Sequence, residues 1–278
     1  MKLRWKSAGL HAVLAALGLI MVYPLIWLFF GTFKTNEEII GSLRLLPNEI
    51  DWSAYIIGWL GSGQFTFGDF FLNTFKLVIP TVLFTTFSSI FIAYGFARFR
   101  YPLRKLLFAL MLSTLMLPHT VVIIPKYILF NYLGWLNTYL PFIVPAVLGS
   151  SAFYIFLQYQ FLRGLPKELD ESAFMDGCNS FAILMRILLP LSKPALVSVA
   201  IFQFIWTWND FFNVFIYVNS VSKYTLSLGL RMMMDIEAAT NWNQIMAMSV
   251  LTMLPCLLFF FFLQRYFVEG IAKTGIKG

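Results

Sequence analysis

Five long stretches of this 278-residue chain contain no Asp, Glu, Lys or Arg, and they cover 7–33, 77–97, 106–125, 127–162 and 238–264. A helix that crosses the hydrocarbon core of a bilayer needs about 20 mostly apolar residues, so each stretch can hold such a helix. A sixth stretch, 194–217, is interrupted only by Asp210 and can also span if that carboxylate is accommodated. The sequence therefore predicts six spanning helices.

Charged residues make up 12% of the chain, whereas an ordinary soluble domain has about 25%. We therefore predict an all-α membrane protein with one domain, residues 1–278. The expected spans are 10–30, 76–97, 106–125, 139–162, 194–217 and 244–265. The first is interpreted as a retained helix, because its apolar core is longer than the roughly 7 to 15 residues of a secretory signal.

The distribution of basic residues predicts the orientation of these spans. Fourteen of the 20 Lys and Arg residues fall at the two termini and in alternate connections, and six fall in the other connections. By the positive-inside rule, both termini are cytoplasmic, in a multi-pass protein of a prokaryotic cell membrane. This pattern favours membrane topology, and contact with lipid, over nucleic-acid binding as the explanation of the net charge of +7.

The long inward connection, 165–190, has the punctuation of two short helices. Pro166 suits a first helical position, the acids Glu168, Asp170 and Glu171 complement a helix N-terminus, and Gly177 suits a left-handed turn. Asn179 or Ser180 can cap a second, apolar helix that Pro190 ends or kinks. On these residues alone, a solvated connector and a docking surface for a soluble partner both remain open.

The same connection resembles a known motif. Its pattern is Glu171-Ser172-Ala173, three residues, Gly177, nine residues, Ile187, one residue and Leu189-Pro190. It is similar to the EAA loop of importer permeases of the ATP-binding cassette (ABC) class, with Ser172 in place of the second residue, alanine. The resemblance implies a cytoplasmic helix-turn-helix that couples the permease to an ATPase dimer, through Glu168, Glu171, Ser172, Ala173, Asp176, Gly177, Ile187, Leu189 and Pro190.

Other stretches are similar to the sugar-type branch, related to the second membrane subunit of maltose-type importers. They include Asn73-Thr74, Asn137-Thr138, Trp208-Asn209-Asp210-Phe211, Thr225-Leu226 and the tail 269–278. The resemblance implies that Gly275 and Lys277 in the tail reach the ATPase. It also implies a carbohydrate substrate, an extracytoplasmic sugar-binding protein and a second permease subunit, expected to be a different chain.

No Walker motif is present, because Gly275 is followed by Ile276 where a phosphate-binding loop needs Lys. We therefore expect no catalytic residue, metal or cofactor in this chain, and expect ATP and Mg²⁺ to be bound by the partner ATPase. The outward loops are expected to dock the binding protein, chiefly the loop 34–74, with Asp51, Trp52 and Trp59, and the stretch 231–237.

Polar residues inside predicted spans are the candidates for a translocation path. His119 follows Pro118, where a helix break is expected, and Asp210 lies beside Asn209 and Trp206. A structural kink and a buried hydrogen-bonded acid are the alternative explanations. An ion-coupled secondary carrier or channel could use only His119 and Asp210, and no residue spacing typical of a membrane-embedded enzyme is present.

Overall fold

A computed structural model describes residues 2–61, 63–234 and 241–275, with side chains described between residues 9 and 264 of these ranges. Every regular element in the described residues is a helix. The α-helices are α1 (Lys2–Gly31), α2 (Asn36–Gly41), α3 (Ser53–Leu60), α4 (Phe67–Arg98), α5 (Arg104–Ser113), α6 (His119–Tyr132), α7 (Leu140–Val147), α8 (Ala152–Gly164), α9 (Glu168–Met175), α10 (Ser180–Ile183), α11 (Leu189–Leu191), α12 (Lys193–Trp208), α13 (Phe212–Tyr217), α14 (Leu226–Met234) and α15 (Trp242–Gly275). Two 3₁₀ turns, Thr114–Met116 and Val221–Lys223, and a π-helical turn, Leu184–Leu188, also occur.

Four helical segments among the described residues are long and apolar enough to cross a membrane: Gly9–Gly31, Phe67–Arg98, Leu140–Gly164 and Trp242–Gln264. Two bent pairs raise the number to six if each pair counts as one span. The all-helical class is confirmed for the described residues. The second predicted span corresponds to α4, which begins at Phe67 and not at 76. Asp69 in its first turn accepts hydrogen bonds from the backbone N–H (2.8 Å) and hydroxyl (2.9 Å) of Thr66 and so caps this earlier start.

The third predicted span is not straight. Arg104–Met116 and His119–Tyr132 meet at an angle of 105°. Leu117 between them has an extended backbone (φ −76°, ψ 122°), the conformation that a following proline favours, and Pro118 then precedes α6. The helix is therefore broken where the Pro118-His119 pair predicts.

The predicted fifth span, 194–217, is also interrupted. Helix α12 ends at Trp208 and α13 begins at Phe212. The carboxylate of Asp210 accepts a hydrogen bond from the backbone N–H of Asn213 (3.1 Å), a contact that starts a new helix. Residues 209–211 therefore form a short non-helical link where continuous helix was expected.

The structure groups the chain into two compact units, within what the sequence predicts as a single membrane domain. The first unit consists of Met1–Asp69 and Gly229–Leu254. Within it, Asn36 Nδ2 donates to Asn241 Oδ1 (2.9 Å), and Asp51 accepts hydrogen bonds from the backbone N–H (2.8 Å) and hydroxyl (2.5 Å) of Ser53. These two hydrogen bonds from Ser53 hold the pKa of Asp51 below its usual value.

The second unit consists of Phe70–Leu228 and Pro255–Gly278, and it contains both candidate sites. Its larger apolar core joins α4 and α8 to the 165–190 connection, through the buried residues Ile90, Ala93, Tyr94, Ile155, Tyr159, Leu162, Ala173, Ile183, Leu184 and Leu188. A smaller core contains Leu77, Val214, Val218 and Leu228. The 165–190 connection is thus packed into the core of the second unit and is not a solvated connector.

Three of the sequence stretches quoted for the family resemblance meet in one hydrogen-bond network. Asn73 Nδ2 donates to the carbonyls of Ser222 (2.8 Å) and Tyr224 (3.1 Å), and Thr74 Oγ1 accepts from the N–H of Leu226 (2.9 Å). Asn137 has a left-handed backbone (φ 58°), and its side-chain oxygen accepts from the N–H of Ser220 (3.0 Å). These polar residues therefore fix the loop before α14.

Candidate functional site

The first candidate site is the hairpin formed by residues 168–191. Helix α9 begins at Glu168 with Lys167 as its N-cap, so Pro166 precedes the helix instead of occupying its first position. The acids Glu168, Asp170 and Glu171 all lie in the first turn, where a carboxylate is favoured by the helix dipole.

The turn of the 168–191 hairpin is a Schellman motif. Gly177 has φ 83°, its N–H donates to the carbonyl of Phe174 (3.0 Å), and the N–H of Cys178 donates to the carbonyl of Ala173 (2.9 Å). Asn179 then caps α10 through a hydrogen bond from the N–H of Ala182 to its side-chain oxygen (2.8 Å). The glycine turn and the asparagine cap are both where the sequence predicts them.

The second half of the hairpin ends one residue after Pro190, close to where the sequence predicts an end or a kink. A π-helical turn, Leu184–Leu188, precedes Pro190, and the helical run continues to Leu191 before a bend of 76° leads into α12. A wider turn upstream accommodates a proline, which has no N–H to donate. The bend therefore falls at Ser192, between Pro190 and Pro194.

The predicted coupling residues separate into an exposed set and a packed set. Glu168, Glu171, Ser172, Asp176, Gly177 and Pro190 are exposed, Ala173 is buried, and Ile187 and Leu189 are partly buried. The Ser172 hydroxyl donates to the carbonyl of Glu168 (2.7 Å), so this departure from alanine is satisfied within its own helix. The predicted coupling residues that are exposed on α9 are thus acidic or polar.

Sequence reasoning did not include the exposed apolar side chains of the hairpin among the site residues. These side chains are Phe174, Met175, Phe181, Met185 and Leu191, and Met175 is 89% exposed. They lie on helical turns that also carry the buried Ala173, Ile183, Leu184 and Leu188, so the amphipathic pattern of the hairpin could have identified them. Large apolar side chains exposed beside acids are typical of a protein interface.

The hairpin is attached to the end of α4 by polar contacts. Arg98 Nε lies 2.8 Å from Asp170 Oδ2, and Arg98 also donates to the carbonyl of Leu165 (3.1 Å). The Tyr94 hydroxyl donates to the carbonyl of Ser180 at the start of α10 (3.1 Å). Both hairpin helices are therefore tied to the same long helix.

The second candidate site is an open cavity of about 770 Å³ in the second unit. All four predicted path residues, His119, Trp206, Asn209 and Asp210, line it. The other polar lining residues are Thr81, Thr85, Ser150, Ser151, Gln203, Thr207 and Asn213, which come from α4, the link between α7 and α8, α12 and α13. Sequence reasoning missed these because hydroxyl and amide side chains inside apolar runs also occur as ordinary helix residues.

Asp210 is held in place by Asn213. The Asn213 amide nitrogen donates to both carboxylate oxygens (3.0 and 2.8 Å), in addition to the backbone capping contact. Asp210 thus has a structural role as a helix cap, while it also lines the cavity. Trp206 is 66% exposed and lines the cavity, whereas Trp208 is 2% exposed and packs against Phe75 and Phe204.

Two further expectations concern metal binding, of which none was expected, and a contact between the tail and the ATPase. Within the described part of the chain, no group of three or more His, Cys, Asp or Glu side chains is arranged to hold a metal ion. Gly275 is the last residue of α15, and the predicted tail contact Lys277 lies outside the described residues.

Comparison with known proteins assigns the chain to a family. Residues 86–273 match the family model described as binding-protein-dependent transport system inner membrane component. The arabinooligosaccharides transport system permease protein of Bacillus subtilis (strain 168) is 32% identical over 265 residues, which cover 94% of this chain and 92% of the relative. The sn-glycerol-3-phosphate transport system permease protein of Pectobacterium atrosepticum is 33% identical over 269 residues, or 95% of each chain.

A solved structure has the same fold. It is a chain in the crystal structure of a bacterial ABC transporter involved in the import of the acidic polysaccharide alginate, with a TM-score of 0.84 and 22% sequence identity over 95% of this chain and 97% of that chain. The family model covers well over half of the chain, and relatives above 30% identity cover nearly all of it. The chain therefore belongs to the family of inner membrane components of binding-protein-dependent transport systems.

Proposed function

We propose that this chain is the permease subunit of an ATP-driven importer that takes up sugars or oligosaccharides delivered by an extracytoplasmic binding protein. The observation that carries the proposal is the 168–191 hairpin, which combines a Schellman turn at Gly177, an exposed acidic first helix and a firm attachment to α4. A connector with no partner would need none of these three features. The family to which the chain belongs supports the same assignment.

The sugar substrate is supported by the names of the relatives and by the cavity. The relatives include permeases for arabinooligosaccharides, for sn-glycerol-3-phosphate and, in Streptomyces coelicolor, for diacetylchitobiose. Hydroxyl and amide side chains around an exposed tryptophan ring suit a polyhydroxylated ligand, because they can hydrogen bond its hydroxyl groups while the ring contacts its apolar face. His119, Trp206, Asn209 and Asp210 are the proposed path residues.

We place six spans in a prokaryotic cell membrane with both termini in the cytoplasm. The excess of basic residues at the termini and in alternate connections supports this orientation. It puts the 168–191 hairpin in the cytoplasm, where an ATPase can reach it. It also puts the exposed Trp52 and Trp59 on the outside, available to a binding protein.

The ATPase is proposed to be a separate dimeric subunit that binds ATP and Mg²⁺, because this sequence contains no Walker motif. Glu168, Glu171 and Asp176 would face basic residues of that partner, and Phe174 and Met175 would enter an apolar recess. Movement of the hairpin would pass to α4 through Asp170 and Arg98, and to α12 through the bend at Ser192. Gly275 and Lys277 in the tail are proposed to contact the same partner.

The path for an oligosaccharide is proposed to lie between this chain and a second permease subunit, a different chain of the same class. The cavity is open rather than enclosed, which suits a path completed by a partner. Chemistry is thus assigned to the ATPase, recognition to the binding protein, and the passage of the sugar to the two permeases.

The test of this function is a charge reversal on the hairpin. The complete importer is expressed with a tag on this chain, and Glu171→Lys is compared with Glu37→Lys, which makes the same change in the first turn of the short helix α2. We expect Glu171→Lys to reduce recovery of the ATPase and ATP-dependent sugar uptake in proteoliposomes, and we expect Glu37→Lys, which lies in the outward loop, to leave recovery of the ATPase unchanged. An intact complex with normal uptake for Glu171→Lys would remove the coupling role, and uptake driven by an ion gradient without ATP would favour a secondary carrier.

A further inference from the structure

The large cavity has a smaller side chamber of about 200 Å³ that contains a lysine in its wall. The shared lining residues are His119, Phe142, Pro145, Ser150 and Asn213, so the two chambers adjoin each other. The side chamber alone includes Lys126 and Tyr217, whereas the large cavity alone includes Asp210. Lys126 has no part in the proposed coupling surface or among the proposed path residues.

The two chambers therefore differ in charge. Lys126 lies seven residues after His119 in α6, a spacing that puts both on one face of the helix. The carboxylate of Asp210 is already engaged by the Asn213 amide (3.0 and 2.8 Å) and backbone N–H (3.1 Å). A negative group that enters the side chamber would thus have the exposed Lys126 and the buried Tyr217 on its wall, whereas Asp210 lines only the large cavity and is bound there by Asn213, which lines both chambers.

The rest of the side chamber strengthens such an interaction. Phe130, Pro141, Phe142 and Pro145 supply apolar walls, and an apolar setting increases the attraction between an ammonium and an anionic oxygen relative to water. Hydrogen bonds between charged groups are also about twice as strong as those between neutral groups. A neutral hydroxyl would gain less from the same lysine.

We propose that the side chamber binds an anionic substituent, a carboxylate or a phosphate, of a sugar whose uncharged part occupies the large cavity. Lys126 is then a residue that determines substrate specificity in the permease itself. This inference rests on the proposed function and narrows its substrate class to acidic sugars.

The test uses the complete importer, reconstituted with its ATPase, second permease and binding protein, and measures ATP-dependent uptake over a range of concentrations. The probes are a disaccharide of one galacturonate and one galactose unit, and sn-glycerol 3-phosphate, each beside its neutral counterpart, the galactose disaccharide of the same linkage and glycerol. The variants are Lys126→Gln, Lys126→Arg and, as a matched control, Lys76→Gln, which removes an exposed lysine of α4 that lines neither chamber. All variants share one binding protein, so a difference between them reports on the permease.

We expect one acidic probe to be transported, and its identity distinguishes a carboxylate from a phosphate. Lys126→Gln should raise the half-saturating concentration for that probe about tenfold, as expected for the loss of one charge-assisted hydrogen bond, while Lys126→Arg retains most of the uptake. Transport of neutral sugars alone, or an equal effect of Lys126→Gln on acidic and neutral probes, would overturn this inference and leave the importer assignment intact. The absence of ATP-dependent uptake of any probe would overturn this inference, whereas the importer assignment would fall only if the chain also failed to assemble with an ATPase.

Discussion

Arg98, the last residue of α4, and Asp170, in the first turn of α9, form an ion pair with an N–O distance of 2.8 Å. Their side chains are only 8% and 13% exposed, so the pair is largely removed from water. Burial raises the pKa of Asp170 above its usual value, and the neighbouring Arg98 opposes this effect. The pair therefore costs desolvation energy and, in return, fixes the hairpin to one particular helix.

Removal of one partner is expected to be more harmful than removal of both. Arg98→Met leaves a buried carboxylate without its cation and also loses the contact with the Leu165 carbonyl (3.1 Å), so it should destabilise the protein by about 3–5 kcal/mol. The double variant Arg98→Met/Asp170→Leu should recover much of this loss, because an apolar pair of similar volume is often neutral or stabilising. Thermal unfolding of the purified protein in detergent measures both, with exposed Arg100→Met as the control. A double variant no more stable than Arg98→Met alone would contradict this account.

The raised pKa of Asp170 also predicts a dependence on pH. Because its folded-state pKa is raised, its contribution to stability is fully present below the unfolded-chain pKa of about 3.9 and is lost as pH rises through the folded-state value. Asp170→Asn cannot ionise, so its melting temperature should improve relative to the parent protein as pH rises from about 4 to about 7. The opposite trend would mean that Arg98 outweighs burial and holds the pKa down.

The hairpin shows how far sequence reasoning reaches. Gly177 and Asn179 act through bonds to residues within a few positions, so their roles as turn and cap could be predicted from local pattern alone. Asp170 was interpreted as a partner of its own helix dipole, because its main partner, Arg98, is distant in sequence and is brought near only by packing. The end of the second helix was predicted at Pro190 and lies one residue later, at Leu191, because the preceding π-helical turn accommodates the proline.

Gly149, in the link between α7 and α8, is a second position with a left-handed backbone, and it is also crowded by a side chain. It has φ 68°, and a Cβ added there would collide with Cδ1 of Ile92. Gly134 has the same φ with no atom within 4 Å of an added Cβ. Gly149→Ala should therefore destabilise the protein by more than the about 1–2 kcal/mol expected for the left-handed backbone alone, and Gly134→Ala should show that backbone cost by itself.

A rescue experiment separates the two costs at Gly149. In the Gly149→Ala background, Ile92→Ala should remove the steric contact and leave the backbone strain. The stability lost by Ile92→Ala alone is subtracted before the variants are compared. Unfolding temperatures of the single and double variants provide the measurement. Equal losses for Gly149→Ala and Gly134→Ala would show that the chain relaxes around Ile92 and that the close approach has no energetic consequence.

Gly177 allows the turn and the partner surface to be tested separately. Its φ is 83°, and no atom of this chain lies within 4 Å of an added Cβ, so a side chain there costs only backbone strain in the isolated subunit. Asn tolerates the left-handed conformation and Val does not, so Gly177→Val should lose about 1–2 kcal/mol and Gly177→Asn much less. In the complete importer, the Gly177→Val variant should reduce the amount of sugar taken up for each ATP that the partner ATPase hydrolyses. Unchanged coupling at normal expression would contradict the role assigned to the turn.

The cavity was predictable only in part. His119 and Asp210 stand out in sequence because ionisable groups within apolar runs are rare, and Asn209 was included as the neighbour of Asp210. Thr81, Ser150 and Gln203 carry no such signal, and only the folding of α4, α7 and α12 around one space identifies them as lining residues. The interruption after α12 was also not predicted. It depends on the hydrogen bond from the Asn213 N–H to Asp210, which a hydropathy pattern does not contain.

Trp206 and Trp208 provide a matched pair of substitutions, two residues apart on α12. Trp208 is 2% exposed and its ring centre lies 5.1 Å from that of Phe75 and 5.2 Å from that of Phe204, so Trp208→Ala should destabilise the protein by about 3–5 kcal/mol. Trp206 is 66% exposed and lines the cavity, so Trp206→Ala should change stability by only about 0.5 kcal/mol and lower sugar uptake several-fold. Trp206→Phe should keep part of the uptake, because an aromatic face remains. Uptake measured per assembled importer, beside the unfolding temperature, separates the two effects. If Trp206→Ala transports at the normal rate, the exposed ring does not contact the sugar, and its position facing the cavity has no functional consequence.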